Sequence, residues 1–265
     1  MGKERAVVIG ISGCSSSGKT TLARLLRDIF PNTFILHEDD FYKPEDQLPL
    51  KDGLVDWDCP EAISVPDMVR ALSHIRATGT FPPDVHSKED QNSVGPCPVS
   101  DAKIASLRAR VEAWLQPGQP GHAILGGGGG GGARRLCLLD GFLLYSASVA
   151  PVTDAIDVRL FLLASRAAAT RRRATRDGYV TLEGFWRDPP GYVDRVVWPN
   201  YEAAHAWLFE GGDVQGEPRR DVLARERIRV QLGKGLDVDM ETTLEWAVDT
   251  IMGDLEAFVG RMSFD

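Results

Sequence analysis

Gly13-Cys14-Ser15-Ser16-Ser17-Gly18-Lys19-Thr20 is the stretch on which the fold turns. Its spacing is that of a phosphate loop: glycine, four residues, glycine, lysine, then serine or threonine. Small residues let consecutive backbone N–H groups turn inward around phosphate oxygens. In such a loop the Lys19 ammonium reaches the β- and γ-phosphates, and the Thr20 hydroxyl takes a place on Mg²⁺. Gly13, Ser15, Ser16, Ser17, Gly18, Lys19, Thr20 and Thr21 are therefore the candidate ATP-binding residues. The flanks fit the motif. The apolar run Ala6-Val7-Val8-Ile9-Gly10-Ile11 stops just before the loop and reads as a buried strand. Leu22, Leu25, Leu26 and Ile29 follow at helical spacing, so the loop opens a helix whose N-terminus favours anions.

Further along, strand-like and helix-like stretches alternate. Thr33–His37, Leu136–Leu139, Asp157–Leu163 and Arg227–Leu232 read as strands. Residues 61–77, 101–115, 166–175, 192–209 and 241–260 read as helices. This order predicts an α/β fold, a phosphate-loop NTPase-type parallel sheet with helices on both faces. One kinase domain is expected over residues 1–265. Within it are expected a flexible insertion at about 78–135, a mobile lid at about 177–191 and a loop at about 211–221. The run Gly126 to Gly132 reads as a low-complexity loop rather than a second phosphate cradle, because free glycines carry a large ordering entropy.

Composition narrows the function classes. The chain of 265 residues is 43% hydrophobic and carries a net charge of −8, which argues against wholesale nucleic-acid binding. Its 4 cysteines form no metal-type pair and suit a reducing cytosol. No leader segment, no membrane span and a cytoplasmic location are expected, with the protein a monomer or homodimer.

Phosphoryl transfer needs a phosphate cradle, a metal, a positioned acceptor and positive charge on the transferring group. Asp39 ends the second strand, where a carboxylate can take the proton of a substrate hydroxyl; the plainer reading of Glu38-Asp39-Asp40 is a solvated turn. Asp140 ends a strand of Leu and Cys, the place of an acid that holds Mg²⁺, or else of a helix cap. Arg171-Arg172-Arg173 and Arg176 precede the lid; Arg172 and Arg176 share a helix face and suit phosphate, whereas Arg173 points elsewhere. Trp57-Asp58 could stack on a ring and bind sugar hydroxyls, or be a core Trp beside a turn Asp. The histidines show no metal-ligand spacing and are assigned no role.

Several segments, in order, resemble the nicotinamide riboside kinases, a uridine-kinase-like branch of the phosphate-loop kinases. They are Gly10–Leu22, Asp39-Asp40-Phe41-Tyr42-Lys43-Pro44, Trp57-Asp58 with Glu61-Ala62, and Asp140-Gly141-Phe142-Leu143-Leu144-Tyr145. The last are Arg171–Arg176 and Pro190-Gly191-Tyr192 with Trp198-Pro199. The resemblance implies ATP-dependent phosphorylation of the ribosyl 5′-hydroxyl of nicotinamide riboside, and of nicotinic acid riboside, giving nicotinamide mononucleotide for NAD salvage. It implies Asp39 as catalytic base beside Lys19, Asp58 and Arg173 on the ribose, and Trp57 stacking on the pyridine ring. It also implies Arg172 and Arg176 as the ATP-facing lid, Tyr179 as a second aromatic wall, and Thr20 with Asp140 on Mg²⁺. Three features depart from the pattern: Asp140 where some members carry Glu, the long 78–135 region, and a tail extended beyond about 210. A uridine or cytidine kinase is the enzyme alternative. A nucleotide switch is the alternative from another class, although no Asn-Lys-x-Asp guanine-reading segment is present.

Overall fold

The computed structural model describes residues 4–89, 95–126, 133–175, 178–180 and 184–262. In chain order its elements are β1 (Ala6–Gly13), α1 (Lys19–Ile29), β2 (Thr33–His37), β3 (Leu50–Lys51), β4 (Leu54–Val55), α2 (Val65–Thr78), α3 (Asp101–Trp114) and α4 (Pro120–Leu125). There follow β5 (Arg135–Asp140), α5 (Ala150–Thr153), β6 (Val158–Leu162), α6 (Arg166–Ala174), β7 (Tyr179–Val180), β8 (Phe185–Trp186), α7 (Trp198–His205), α8 (Arg220–Glu226), β9 (Ile228–Arg229) and α9 (Met240–Met262). Short 3₁₀ turns join several of them.

The central sheet has 5 strands in the order β2-β5-β1-β6-β9, and every pairing is parallel. Parallel strands need covered faces, and β1 shows how the sequence provides them. Ala6 and Val8 point into one apolar cluster with Met68, Leu72, Val152 and Trp198. Val7, Ile9 and Ile11 point into another with Leu22, Val111, Ile124 and Ile251. The pleat thus sends alternate side chains to helices on opposite faces. Register brings the strand ends together: Ile11 and His37 both pair with Asp140, and Gly13 pairs with Leu162. The phosphate loop, Asp39 and Asp140 leave from that one edge, where ligands of such sheets bind.

The described residues of the 78–135 region include two packed helices, α3 and α4. α3 starts at the Ser100 cap, whose hydroxyl accepts from Lys103 N at 3.3 Å. It buries Leu107, Val111 and Trp114 in the second cluster, and α4 adds Ile124 and Leu125. Lys103 Nζ meets Glu245 at 2.7 Å, and the Trp114 indole donates to Glu256 at 2.7 Å, so α3 is strapped to α9. The glycine run lies outside the described residues apart from Gly126.

Other expectations are corrected in detail. The second helix begins at Val65, with Pro66 in its first turn, because Pro60–Ala62 forms a separate 3₁₀ turn. The helix expected over 192–209 is broken into a π turn (Val193–Val197), α7 and a 3₁₀ turn (Ala206–Leu208). Pro199 has no N–H for the carbonyl four residues back, and the turn before it widens. The strand expected over 227–232 shrinks to Ile228–Arg229, an edge strand paired only with β6. Residues 211–221 include a 3₁₀ turn, a bridge between Phe209 and Pro218, and the start of α8 at Arg220. In the lid, β7 and β8 form an antiparallel hairpin. Among the described residues no helix is long and apolar enough to cross a membrane.

Candidate active site

The donor side is built around the phosphate loop. Gly13 leaves β1 at φ +144°, and a Cβ there would lie 2.6 Å from the Leu162 carbonyl oxygen. Gly18 turns into α1 at φ +103°. Between them Ser17 N donates to Cys14 O at 3.1 Å, closing the loop. The Ser16 and Ser17 hydroxyls are buried without a partner, which suits a loop that receives an oxygen-rich group. Lys19 is buried and folds back onto the loop, donating to Cys14 O at 3.0 Å. The Arg172 guanidinium lies over the loop, 3.5 Å from Ser16 O and 3.4 Å from Ser17 O. A cleft of about 880 Å³ opens beside it, lined among others by Gly18, Thr20, Thr21, Arg172, Gln231 and Asp239.

At the base of the loop the Thr20 hydroxyl donates to Asp140 Oδ2 at 2.5 Å, and His37 Nδ1 lies 3.2 Å from the same oxygen. Burial pushes the Asp140 carboxyl up, but His37, Lys19 and Thr20 outweigh it and hold it below the usual range. Burial lowers His37 in turn, and Asp140 more than reverses that. A hydroxyl and an ionised carboxylate side by side fit a hard divalent cation. Among the described residues no cluster of three or more His, Cys, Asp or Glu could hold a metal alone.

Asp39 sits on the 3₁₀ turn Glu38–Phe41 that follows β2. The protein packed around it, then Glu89 and Asp140, push its carboxyl up to about 7, while Lys19 and His37 pull it back. Its own surface is open to solvent, and water tempers that push until a ligand covers it. Its neighbour Glu38 is the reverse, fully buried. Glu38 Oε2 accepts from Phe142 N at 2.5 Å and from Leu143 N at 3.1 Å. Burial still dominates and pushes it up to about 8.

The candidate acceptor side, around Trp57 and Asp58, is packed rather than open. Trp57, Asp58 and Arg173 are all buried. Arg173 Nη1 and Nη2 donate to the two Asp58 oxygens at 3.2 and 3.3 Å. Its Nε and Nη2 donate to Asp188 at 2.5 and 3.1 Å, and its Nη1 reaches Ser15 Oγ at 2.6 Å. One guanidinium therefore joins the acceptor floor, the lid and the phosphate loop. Burial raises Asp58 in spite of Arg173. Trp57 lies among aromatic rings, 5.2 Å from Tyr42 and 5.7 Å from Trp186 between centroids, and its indole N–H is buried without a partner.

The structure thus gathers Lys19, Thr20, Asp39, Asp140, Arg172, Trp57, Asp58 and Arg173 at one sheet edge. Arg176 lies outside the described residues. Tyr179 is described by its backbone alone, opposite Trp186 in the hairpin. His37, Asp188 and Trp186 contact these candidate residues, and Glu38 lies next to Asp39; the sequence did not single them out. Trp186 and Asp188 carried a signal, an aromatic and an acid inside a Gly/Pro-rich lid. Glu38 carried none, since a buried glutamate looks like any other acid of a turn.

No family model matches the chain. A nicotinamide riboside kinase of Schizosaccharomyces pombe is 33% identical over 252 residues, covering 95% of this chain and 99% of that protein. The chain belongs to the nicotinamide riboside kinase family. An Eremothecium gossypii member is 33% identical over 94% of each chain, and human nicotinamide riboside kinase 2 is 32% identical over 83% of this chain and 78% of its own. The matches to the two fungal members therefore span nearly the whole length of this chain.

Proposed function

We propose that this chain transfers the γ-phosphoryl group of ATP to the ribosyl 5′-hydroxyl of nicotinamide riboside, and also accepts nicotinic acid riboside, giving the mononucleotide. The observation that carries the reading is Arg173. It links Ser15 of the donor loop to Asp58 of the acceptor floor, so the two substrate sides meet at one side chain. The family, shared over nearly the full length, supplies the acceptor class.

The loop N–H groups cradle the phosphates, and Lys19 swings from Cys14 O onto them. Arg172 adds charge from the lid side, with Arg176 as its second arginine. Thr20 and Asp140 are the residues that would hold Mg²⁺, which when bound neutralises charge on the transferring group. Asp39 accepts the proton of the attacking hydroxyl. A carboxyl pushed up from its ordinary value by its surroundings, toward about 7 once a ligand covers it, is a stronger base and suits that task. Asp58 and Arg173 hold the ribose hydroxyls. Trp57, with Tyr179 or another lid aromatic opposite, takes the flat ring; an indole face also favours a cationic pyridinium. The acidic chain acts on small molecules and needs no nucleic acid or membrane, and cytoplasmic residence fits its reduced cysteines.

The test is ADP release with Mg-ATP against nicotinamide riboside, nicotinic acid riboside, uridine, cytidine and no acceptor. Stimulation by the pyridine ribosides is the expected result. Stimulation by uridine or cytidine instead would keep the phosphotransfer chemistry and overturn the substrate. Turnover with no acceptor response would mark a nucleotide switch.

A further inference from the structure

Two segments of the chain reach the acceptor side without a part in the chemistry above: Pro190-Gly191-Tyr192 and Trp198-Pro199-Asn200. Tyr192 is 1% exposed. Its hydroxyl accepts from Trp57 N at 3.0 Å and donates to the Val55 carbonyl at 3.0 Å. That single oxygen ties down the backbone on which Trp57 and Asp58 are carried. The Tyr192 ring faces the Arg173 guanidinium at 5.4 Å and Trp186 at 5.9 Å. One side chain therefore touches the backbone under Asp58, the arginine that pairs with Asp58, and the lid tryptophan beside Trp57. Across the π turn, Asn200 Nδ2 donates to both Asp56 oxygens at 2.9 Å, and Asp56 Oδ1 accepts from Asp58 N at 3.0 Å. The two struts come from either side of the widened turn Val193–Val197, and both converge on residues 55–58.

We propose that Tyr192, seconded by Asn200, is a positioning residue that sets the acceptor pocket. The inference rests on the reading that the nucleoside binds at Trp57, Asp58 and Arg173. The Tyr192 hydroxyl has already spent its donor and one acceptor position on the protein, so it acts through Trp57, Asp58 and Arg173 and not on substrate. Phenylalanine would fill the same volume but take the acceptor from the buried Trp57 N–H and the donor from the half-buried Val55 carbonyl, and the 55–58 segment shifts to find partners. Arg173 is the side chain that joins this hub to the phosphate loop, through Ser15, so the effect falls mainly on the acceptor.

Tyr192→Phe, Tyr192→Leu and Asn200→Ala are compared with wild type for kcat, for KM of acceptor and of ATP, and for Tm. Tyr192→Phe is expected to raise the acceptor KM about 10-fold with ATP KM unchanged. Tyr192→Leu adds a fall in kcat as Arg173 loses its aromatic support. Asn200→Ala, which leaves the aromatic packing intact, raises the acceptor KM severalfold and keeps the inference testable if the tyrosine variants fold poorly. An unchanged acceptor KM in Tyr192→Phe or Asn200→Ala overturns the proposal. So does a joint rise of both KM values in step with lost Tm, the mark of a merely structural tyrosine. The ratios are taken on whichever nucleoside the wild type phosphorylates. The identity of that nucleoside decides the substrate reading, and the variant-to-wild-type ratio decides the role of Tyr192.

Discussion

The donor and acceptor halves of the cleft share one sheet edge and are built in opposite ways. The donor half is backbone. Its loop closes on itself through Cys14 and Ser17, its Ser16 and Ser17 hydroxyls have no partner, and it borders an open cleft. The acceptor half is side chain. Asp58, Arg173 and Asp188 satisfy one another, and Trp57 packs among Tyr42, Trp186 and Tyr192. A loop of inward N–H groups is complete before its anion arrives, whereas an ion pair must share its hydrogen bonds with an arriving sugar. Substitutions of the donor half's ligand-facing groups should therefore cost catalysis and little stability. Those in the acceptor half should cost both.

The largest effect tests the boundary between the halves. Asp39→Ala is expected to lower kcat by about 100- to 10,000-fold with ATP KM nearly unchanged. Because Asp39 is solvent-exposed, Tm should hold. The wild-type rate should also rise with pH through about 7 and then level, since only the ionised carboxylate can accept a proton. A matching loss of ATP binding, or an acidic limb that persists in the alanine variant, would remove Asp39 from the role of base.

Arg173→Met comes next and should break the acceptor half itself. It leaves the Asp58 carboxylate buried, with Asp188 beside it, and without their shared cation. Removing one partner of such a pair costs about 3–5 kcal/mol. Thermal unfolding should record a large drop, and Asp58→Asn in the same chain should restore part of it. If Arg173→Met unfolds like the wild type, the two halves are not built differently after all.

The same contrast explains what could be read without coordinates. The donor half was legible because eight contiguous residues specify it and the strand and helix around them are strongly patterned. The acceptor half is assembled from residues 56–58, 173, 186–192 and 200. Trp57 alone looked as much like core as like a ligand contact, and in the structure it packs as core while facing the site. Arg173 was separable from Arg172 by helical spacing, but Asp188 was not assignable until the hairpin brought it back. In α3, Leu107, Val111 and Trp114 already had helical spacing. Their partner α9 lies more than a hundred residues away, which is why the region looked like an insertion.

Glu38 sharpens the comparison at the seam. Its folded carboxyl stands at about 8, against an ordinary value of 4.5. Between those values the folded chain binds a proton that the unfolded chain releases. Glu38 thus contributes stability that is present below pH 4.5 and declines as pH rises through about 8. Glu38→Gln should flatten that part of the stability profile and keep an amide oxygen for the Phe142 and Leu143 N–H groups. Chemical denaturation at pH 6 and pH 8.5 measures it. An unchanged pH slope would mean that the two backbone bonds already hold Glu38 ionised.

Cys14 should show the smallest effect, and it bears on the donor half. It sits inside the phosphate loop, where a reactive thiol would make ATP binding sensitive to oxidants. Lys19 and Arg172 favour the thiolate, but burial prevails and pushes the thiol up to about 11. At neutral pH it is therefore protonated, and the loop uses it for its size and its backbone carbonyl, which receives Lys19 and Ser17. Cys14→Ala keeps that carbonyl and removes one sulfur from a packed position, so kcat and ATP KM should stay within about twofold while stability falls by about 1 kcal/mol. Alkylation by iodoacetamide at pH 7.5 should leave activity intact in the folded protein. Rapid inactivation that ATP prevents would mean that the loop opens far enough to bare the sulfur, and the donor half would then be the more mobile of the two.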